Sequence, residues 1–508
     1  MARLRSLASL GLPATVGAIS ALGFAPLQWW PLQLLSLAYL FHAISQAQAR
    51  VFRIAWAWGF GAILAGVYWL FTARHRFGDI PAPLALIALI ILALFIGSFT
   101  GLAMWCAQRL RQAAPDYVFL LLILPACWSL NEWIRGFIFT GFPWVVSGYA
   151  HTDSPLAGFA PLLGVYGLGW LSGLAAGLMV LAYQRKIATH TPIIGLVALF
   201  GSGWGLQTIA WTTPQGAPIT VRLLQGNISQ DLKFARERVI DSLQLYQRLI
   251  VQEPADLIAI PETAFPIFAH LLPNDFFPGL QDFAQRSQSH LILGVPFADG
   301  QERYTNSALG ISARAGVPHY RYDKHHLVPF GEVIPPGFRW FVDMMRIPLG
   351  DFTPGAALQA PFAVKDQWVL PNICYEDLFG EEIAAQLGQS NANGQPVASI
   401  LLNISNLAWF GQSTAIPQHL QISRMRTLET GRPMLRSTNT GATAIISAKA
   451  EVLHLLPSDM PGVLRGEVQG YSGTTPYMHW RNLLFLGLSL GSLLLAFILA
   501  RRIRQDRT

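Results

Sequence analysis

Long apolar runs constrain this chain before anything else does, because a helix crossing a bilayer needs about 20 mostly apolar residues and a water-soluble core has little use for many such stretches. About seven candidates precede a long polar stretch: Leu7 to Phe24, Leu27 to Ser45, Ile54 to Phe71, Pro81 to Ala107, Tyr117 to Phe137, Gly158 to Tyr183 and Pro192 to Trp211. One more, Asn482 to Ala500, follows it. The balance of the 508 residues agrees: 12% are charged and 52% hydrophobic, too apolar for an ordinary soluble enzyme of this length. Pro13, Pro26 and Pro31 interrupt the first two segments. Arg3 and Arg5 would suit the basic start of a signal peptide, but the series of apolar segments behind them argues for a retained span.

The basic residues then orient the chain, since cytoplasmic loops are enriched in Lys and Arg. Arg3 and Arg5, Arg50 and Arg53, Arg109 and Arg111, Arg185 and Lys186, and the tail Arg501, Arg502, Arg504 and Arg507 fall on one side if both termini are cytoplasmic. Arg74 and Arg76 are the exception. This reading puts residues 213–476 on the periplasmic side of a bacterial inner membrane, between a membrane domain at 1–212 and a last span with a basic tail at 477–508. Tyr477 and Trp480 would anchor the chain where it re-enters the membrane. The net charge of +7 is thus a topology signal and gives no reason to expect nucleic acid as a partner. Within the membrane half, Glu132 and Arg135 share a helix face, where an i,i+3 pair orienting the helix end is the simplest reading. The following TGFPWVVSGY, with Gly141, Pro143 and Trp144, is non-helical in character and suits a rim on the outer side.

The polar stretch alternates strand and helix patterns. Strands are expected over Ile219 to Gln225, Asp256 to Ile260, His290 to Val295, Ser307 to Ser312, Pro318 to Tyr322, Gln367 to Ile373, Val397 to Asn403, Met434 to Ser437 and Ala442 to Ser447. Helices are expected over Arg236 to Gln252, Gly279 to Ser289, Glu376 to Gln389 and Ile416 to Thr430. Such alternation predicts a layered α/β domain. Three chemically capable residues stand just past strand ends, where ligands collect in α/β sheets: Glu262, Lys324 and Cys374. Cys374 is the only cysteine of the polar stretch, so no disulfide can form within it. A helix starting at Glu376 would favour its thiolate through the dipole at the helix N-terminus. Glu262 would accept the thiol proton, and Lys324 would hold the charge developing on a carbonyl oxygen. Each residue also has a plainer reading, as a packed cysteine, a helix-start carboxylate and a solvated turn lysine.

The words around these residues are more specific. PETAFP at Glu262, YDKHHLVPFGE at Lys324, NICYED at Cys374, SNLAWFG and QHLQISRMRTLETGRP resemble the nitrilase superfamily, and more closely its membrane branch, the apolipoprotein N-acyltransferase family. GFAPLQWWPL, TGFPW and LLQGNISQDLKF extend the resemblance over nearly the whole chain. It implies a polytopic α-helical membrane protein with an inserted αββα nitrilase-like periplasmic domain and a Glu262, Lys324, Cys374 triad. It also implies a second carboxylate, Glu332, and supporting roles for Tyr375 and Glu376. The implied reaction moves a fatty acyl chain from a phospholipid to the N-terminal amine of a diacylglyceryl-cysteine apolipoprotein through a thioester on Cys374, with no cofactor. The chain departs from the family pattern at Phe234, where a Trp is usual, and at Leu407 in SNLAWF, where an Asp is usual.

Candidate substrate contacts are Trp144, Phe234 and Trp409, together with Phe341, Met344 and Met345 of the apolar WFVDMMRIPLG loop. That loop and Phe276 and Phe277 of NDFFPGL read either as a lipid-contacting lid or as core packing. Neither HExxH nor paired CxxC occurs, so no metal is expected, and the adjacent His325 and His326 read as shaping the loop after Lys324. Two competing functions use the same residues differently: a membrane-tethered amidase hydrolysing C–N bonds, and a lipid or lipoprotein carrier needing no thiol.

Overall fold

In hydrocarbon every backbone N–H and C=O must find its partner within the segment, so uninterrupted apolar runs become helices. The computed structural model describes residues 2–505 except positions 48, 77, 79, 112–113, 186–187, 230–235, 301–302, 335–336, 338, 340–351 and 390–395. It divides into two units, Met1–Ala210 with Trp480–Thr508, and Trp211–His479.

Among the described residues of the first unit, four helices are long and apolar enough to cross a bilayer: Ala82–Arg111, Asp116–Arg135, Pro155–Gln184 and Leu483–Gln505. The pair Val51–Gly66 and Trp69–Arg76 is long and apolar enough only when taken together, and is bent by 57° at the break between its two helices. The other expected spans are helices of 19, 17 and 17 residues, Ala2–Ser20, Trp30–Gln46 and His190–Leu206, the last two shorter than the sequence suggests. At the first, Arg3 and Arg5 fall in the opening turns. Burial sorts the spans. Pro155–Gln184 is 83% buried over its most apolar window and Ala82–Arg111 only 28%, so the less apolar helix is central and the more apolar one peripheral. The central helix reaches its neighbour through small residues: a Cβ at Gly177 would lie 2.1 Å from the Leu120 carbonyl oxygen. The TGFPWVVSGY segment forms no α-helix, only short 3₁₀ turns at Ile138–Thr140 and Ser147–His151. Glu132 is bonded to this segment, accepting the Ser147 N–H and hydroxyl at 2.7 Å each, and Arg135 donates to the Trp144 carbonyl at 3.0 Å.

The described residues of the second unit form twelve strands: β1 (Thr212–Gln225), β2 (Leu257–Ala259), β3 (His290–Asp299), β4 (Arg303–Ile311), β5 (Tyr320–Asp323), β6 (Phe362–Val364), β7 (Gln367–Ile373), β8 (Ile400–Ser405), β9 (Met434–Thr438), β10 (Ala444–Ile446), β11 (Val452–Leu455) and β12 (Gly462–Gly473). One sheet runs β12-β1-β2-β3-β4-β5 and the other β11-β10-β9-β8-β7-β6. Each has three adjacent parallel strands, β1 to β3 in the first and β7 to β9 in the second. Side chains alternate across a strand, and here the alternation separates the layers. Val221, Leu223, Leu257 and Ala259 of one sheet meet Val369, Ile373, Ile400, Leu402 and Ile404 of the other in one core. Their neighbours Leu224, Ile258 and Ile260 face outward onto Tyr246, Ile250, Leu280 and Ala284 of the helices Arg236–Val251 and Phe276–Ser287. Leu370 and Leu401 likewise pack on Ile383 and Leu387 of the helix Gly380–Gln389. The result is an αββα sandwich.

All nine expected strands are present, with shifted ends. The sequence reading missed β6, β11 and β12, the first two only three and four residues long and the last punctuated by Gly466 and Gly470, which weaken a strand pattern. The helix expected over Glu376 to Gln389 is instead a 3₁₀ turn at Cys374–Leu378 followed by the helix Gly380–Gln389. Phe276 is core, edge-on to Phe265 at 5.0 Å, which overturns its reading as part of a lid, while Phe277 is half-buried beside it. Phe341, Met344 and Met345 lie outside the described residues, as does Phe234.

Candidate active site

The carboxyl ends of β2, β5 and β7 deliver Glu262, Lys324 and Cys374, so the carboxylate follows the first sheet and the thiol the second. The turn carrying Glu262 lies directly on β3. A Cβ at Gly294 would stand 2.0 Å from the Pro261 carbonyl oxygen, so only glycine permits that approach. Glu262 is 6% exposed. Its Oε1 accepts from Lys324 Nζ at 3.0 Å and Asn306 Nδ2 at 2.7 Å, and its Oε2 accepts from the Asn406 N–H at 2.9 Å. The Cys374 thiol is also hydrogen-bonded to this carboxylate.

Lys324 is 1% exposed and lies between two carboxylates, with Glu332 at 2.9 Å on its other side. Asn306 Nδ2 also bridges them, donating to Glu332 Oε1 at 2.8 Å, and the Val328 N–H holds Glu332 Oε2 at 2.9 Å. Glu376 ties the two sheets' loops together: it accepts the Ile373 N–H at 2.6 Å, the His325 N–H at 2.7 Å and the Tyr322 hydroxyl at 3.1 Å. Tyr375 is buried with its ring edge-on to Phe379 at 5.5 Å. His325 Nδ1 pairs with the Gly355 carbonyl oxygen at 2.8 Å and His326 Nδ1 with Glu382 at 2.9 Å, so both shape the loop after Lys324.

The electrostatics of the site follow from burial and charge. Burial pushes the Lys324 ammonium down, but Glu262, Glu332 and Cys374 more than offset it, and the amine stays protonated well above its ordinary value. Burial also pushes Glu262 up, yet the charge of Lys324 and the hydrogen bonds from Lys324, Asn306 and Asn406 hold it below the ordinary carboxylate value. The Cys374 thiol is raised far above its ordinary value, first by burial, then by the Glu262 charge, with Lys324 offsetting only part. This corrects the expectation of a thiolate favoured by a helix dipole. A five-residue 3₁₀ turn offers few aligned dipoles, and the surrounding carboxylates oppose a second negative charge. The resting arrangement is a neutral thiol hydrogen-bonded to a carboxylate, beside a permanent cation. It can perform nucleophilic attack assisted by a general base.

Of the candidate contact residues, Trp409 is 41% exposed on the 3₁₀ turn Leu407–Phe410, which begins just after Asn406. Trp144 is 3% exposed and packs against Trp69 at 4.8 Å in the first unit, as a core side chain and not a rim. Sequence reasoning assigned no role to Asn306 or Asn406. The available signal for Asn306 was a polar residue at a buried position of an otherwise apolar strand, YTNSALG; for Asn406 it was a place at a strand end, like the triad's own.

Two family descriptions match the chain, the apolipoprotein N-acyltransferase N-terminal domain over residues 16–178 and carbon-nitrogen hydrolase over residues 220–477. The apolipoprotein N-acyltransferase of Ralstonia nicotianae is 47% identical, with 99% of this chain and 95% of the relative covered. Those of Bordetella bronchiseptica and Nitrosomonas europaea are each 41% identical, covering 95% of both chains and 96% of both chains respectively. Among solved structures, a carbon-nitrogen hydrolase from Helicobacter pylori is similar at 18% identity and a TM-score of 0.37, over 49% of this chain and 89% of that one. An amidase from Nesterenkonia is similar at 17% identity and a TM-score of 0.39, over 53% and 96%.

Proposed function

The chain belongs to the apolipoprotein N-acyltransferase family, and from that premise we propose that Glu262, Lys324 and Cys374 carry an acyl group from a phospholipid to the N-terminal amine of a diacylglyceryl apolipoprotein. The hydrogen bond between the Cys374 thiol and the Glu262 carboxylate carries this reading. In the first half-reaction Glu262 takes the thiol proton and the sulfur attacks the ester carbonyl carbon. The C–O bond breaks, the departing oxygen takes the proton from Glu262, and a lysophospholipid leaves a thioester behind. In the second, the amine attacks the thioester carbonyl, Glu262 takes an amine proton, and the C–S bond breaks to return the thiol.

Lys324 keeps its proton throughout and stabilises the oxyanion of each tetrahedral intermediate. When Glu262 becomes neutral, Lys324 still has Glu332 as counterion, so its charge stays fixed in place while the oxyanion forms. General-base assistance of this kind contributes about 10² to 10⁴ in rate. The protein is a membrane protein. Its orientation in this reading has both termini cytoplasmic and the Cys374-bearing unit on the periplasmic side of the inner membrane, supported by the distribution of Arg and Lys between apolar segments.

Intact mass of the purified protein after incubation with phospholipid and no acceptor tests the chemistry. One fatty acyl group should be added, cleared by hydroxylamine and missing in Cys374→Ser. Phospholipid turnover without any such adduct in the native protein would sink the two-step scheme.

A further inference from the structure

Cys374 adopts φ +54°, a left-handed conformation unusual for a side chain larger than glycine's and strained unless its surroundings hold it. Such a residue stays in place only if the peptide planes beside it are pinned. Its carbonyl oxygen lies 3.1 Å from His419 Nε2 and accepts from Asn403 Nδ2 at 3.4 Å. His419 sits in the helix Ala415–Thr430 and is 1% exposed. The catalytic steps above do not use it.

A chain of partners decides which nitrogen of His419 carries the proton. Its Nδ1 is 2.9 Å from Nη2 of Arg436, in β9, and a guanidinium only donates. Nδ1 must therefore accept, which leaves Nε2 as the N–H of a neutral ring and aims that N–H at the Cys374 carbonyl. Burial, the Arg436 charge and the charge of Lys324 all oppose protonation of the ring, and only the hydrogen bond to the Cys374 carbonyl favours it. Arg436 is itself fixed: Nη1 pairs with Asp377 Oδ2 at 3.1 Å and with the Ser423 hydroxyl, and Nε donates to the Ala442 carbonyl at 3.2 Å. Asp377 belongs to the same 3₁₀ turn as Cys374, so the relay starts and ends on that turn.

We propose that His419 is a positioning residue for the nucleophile: held in one tautomer by Arg436, its Nε2–H pins the Cys374 carbonyl and so keeps the strained turn that points Sγ at Glu262. The inference rests on Cys374 being the nucleophile of the reading above. Its observable is the geometry of the thiol, which can be read without acyl transfer.

The test measures Cys374 alkylation by iodoacetamide in full-length, detergent-purified protein, together with thermal midpoint and the rate of acyl-enzyme formation from phospholipid. A hydrogen bond to a neutral carbonyl is worth about 1 kcal/mol, or about fivefold in rate. His419→Leu should slow both alkylation and acylation by about that factor or more, with KM for phospholipid unchanged. His419→Gln, whose Nε2 can occupy the place of the ring Nε2–H, should recover most of the loss. Native alkylation and acylation rates in His419→Leu would overturn the proposal. So would a His419→Gln protein that melts like the native one yet alkylates as slowly as the Leu variant. If His419→Leu does not fold, His419→Gln against Arg436→Lys decides: the first should keep near-native alkylation, and the second, which shortens the donor to Nδ1, should slow it. Equal native rates in that pair refute the relay. Failure of the native protein to acylate, with the alkylation pattern intact, would count against the acyl-transfer scheme and leave the positioning role standing.

Discussion

At the scale of single residues, the site shows how neighbours and not identity set protonation. Glu262 and Glu332 act on the Cys374 thiol while Glu376 belongs to its turn, and the partners of these carboxylates differ. Glu262 is held ionised by Lys324, Asn306 and Asn406, whereas buried Glu376, despite accepting the Ile373 and His325 N–H groups, is pushed up to about 7, chiefly by burial. A carboxyl raised in the folded state binds its proton more tightly than the unfolded chain does. The stability this gives is fully present below the ordinary value of 4.5 and is lost as pH climbs through about 7. The difference amounts to about 3 kcal/mol at most. The native protein should therefore lose more thermal stability between pH 5 and pH 8 than Glu376→Gln does. Parallel midpoint curves for the two would refute the assignment. The grouping of Glu262, Lys324 and Cys374 was legible in the sequence because each stands at a strand end within a distinctive word. Asn306 was not, since the second carboxylate it bridges becomes its neighbour only when β4 lies beside the loop after β5.

At the scale of elements, periodicity served well where a segment is long and one-sided. The helices Arg236–Val251 and Ala415–Thr430 and the strand Gln367–Ile373 fall within a residue or so of their expected ends. It served poorly for short or glycine-punctuated strands such as β6 and β12, which exist because a partner strand supplies their hydrogen bonds. In the first unit, close helix packing depends on small residues. Gly177→Val would press its side chain against the Leu120 backbone and force the two helices apart, at a cost of about 1 to 3 kcal/mol. Its thermal midpoint in detergent should fall clearly below that of Gly201→Val, where a Cβ meets nothing within 4 Å. Equal midpoints would show that the helices separate at no cost.

At the scale of the whole molecule, the expected orientation makes a direct prediction. In a Cys106→Ser, Cys374→Ser background, Glu467→Cys, an exposed position of β12, should react with a membrane-impermeant maleimide in intact spheroplasts, and Gln505→Cys only after the membrane is broken. The reverse pattern would invert the topology. The amino-acid sequence alone determined which segments leave water, that a layered α/β unit interrupts them, and which three side chains stand at strand ends. Those properties are written in local hydrophobic period and short motifs. Tertiary structure alone decided that the thiol rests neutral on a carboxylate, that Asn306 joins two acids, and that Arg436 faces Nδ1 of His419 behind Cys374. Glu262 and Cys374 come from different sheets, so burial and charge, which govern proton affinity, are defined only once those sheets pack face to face.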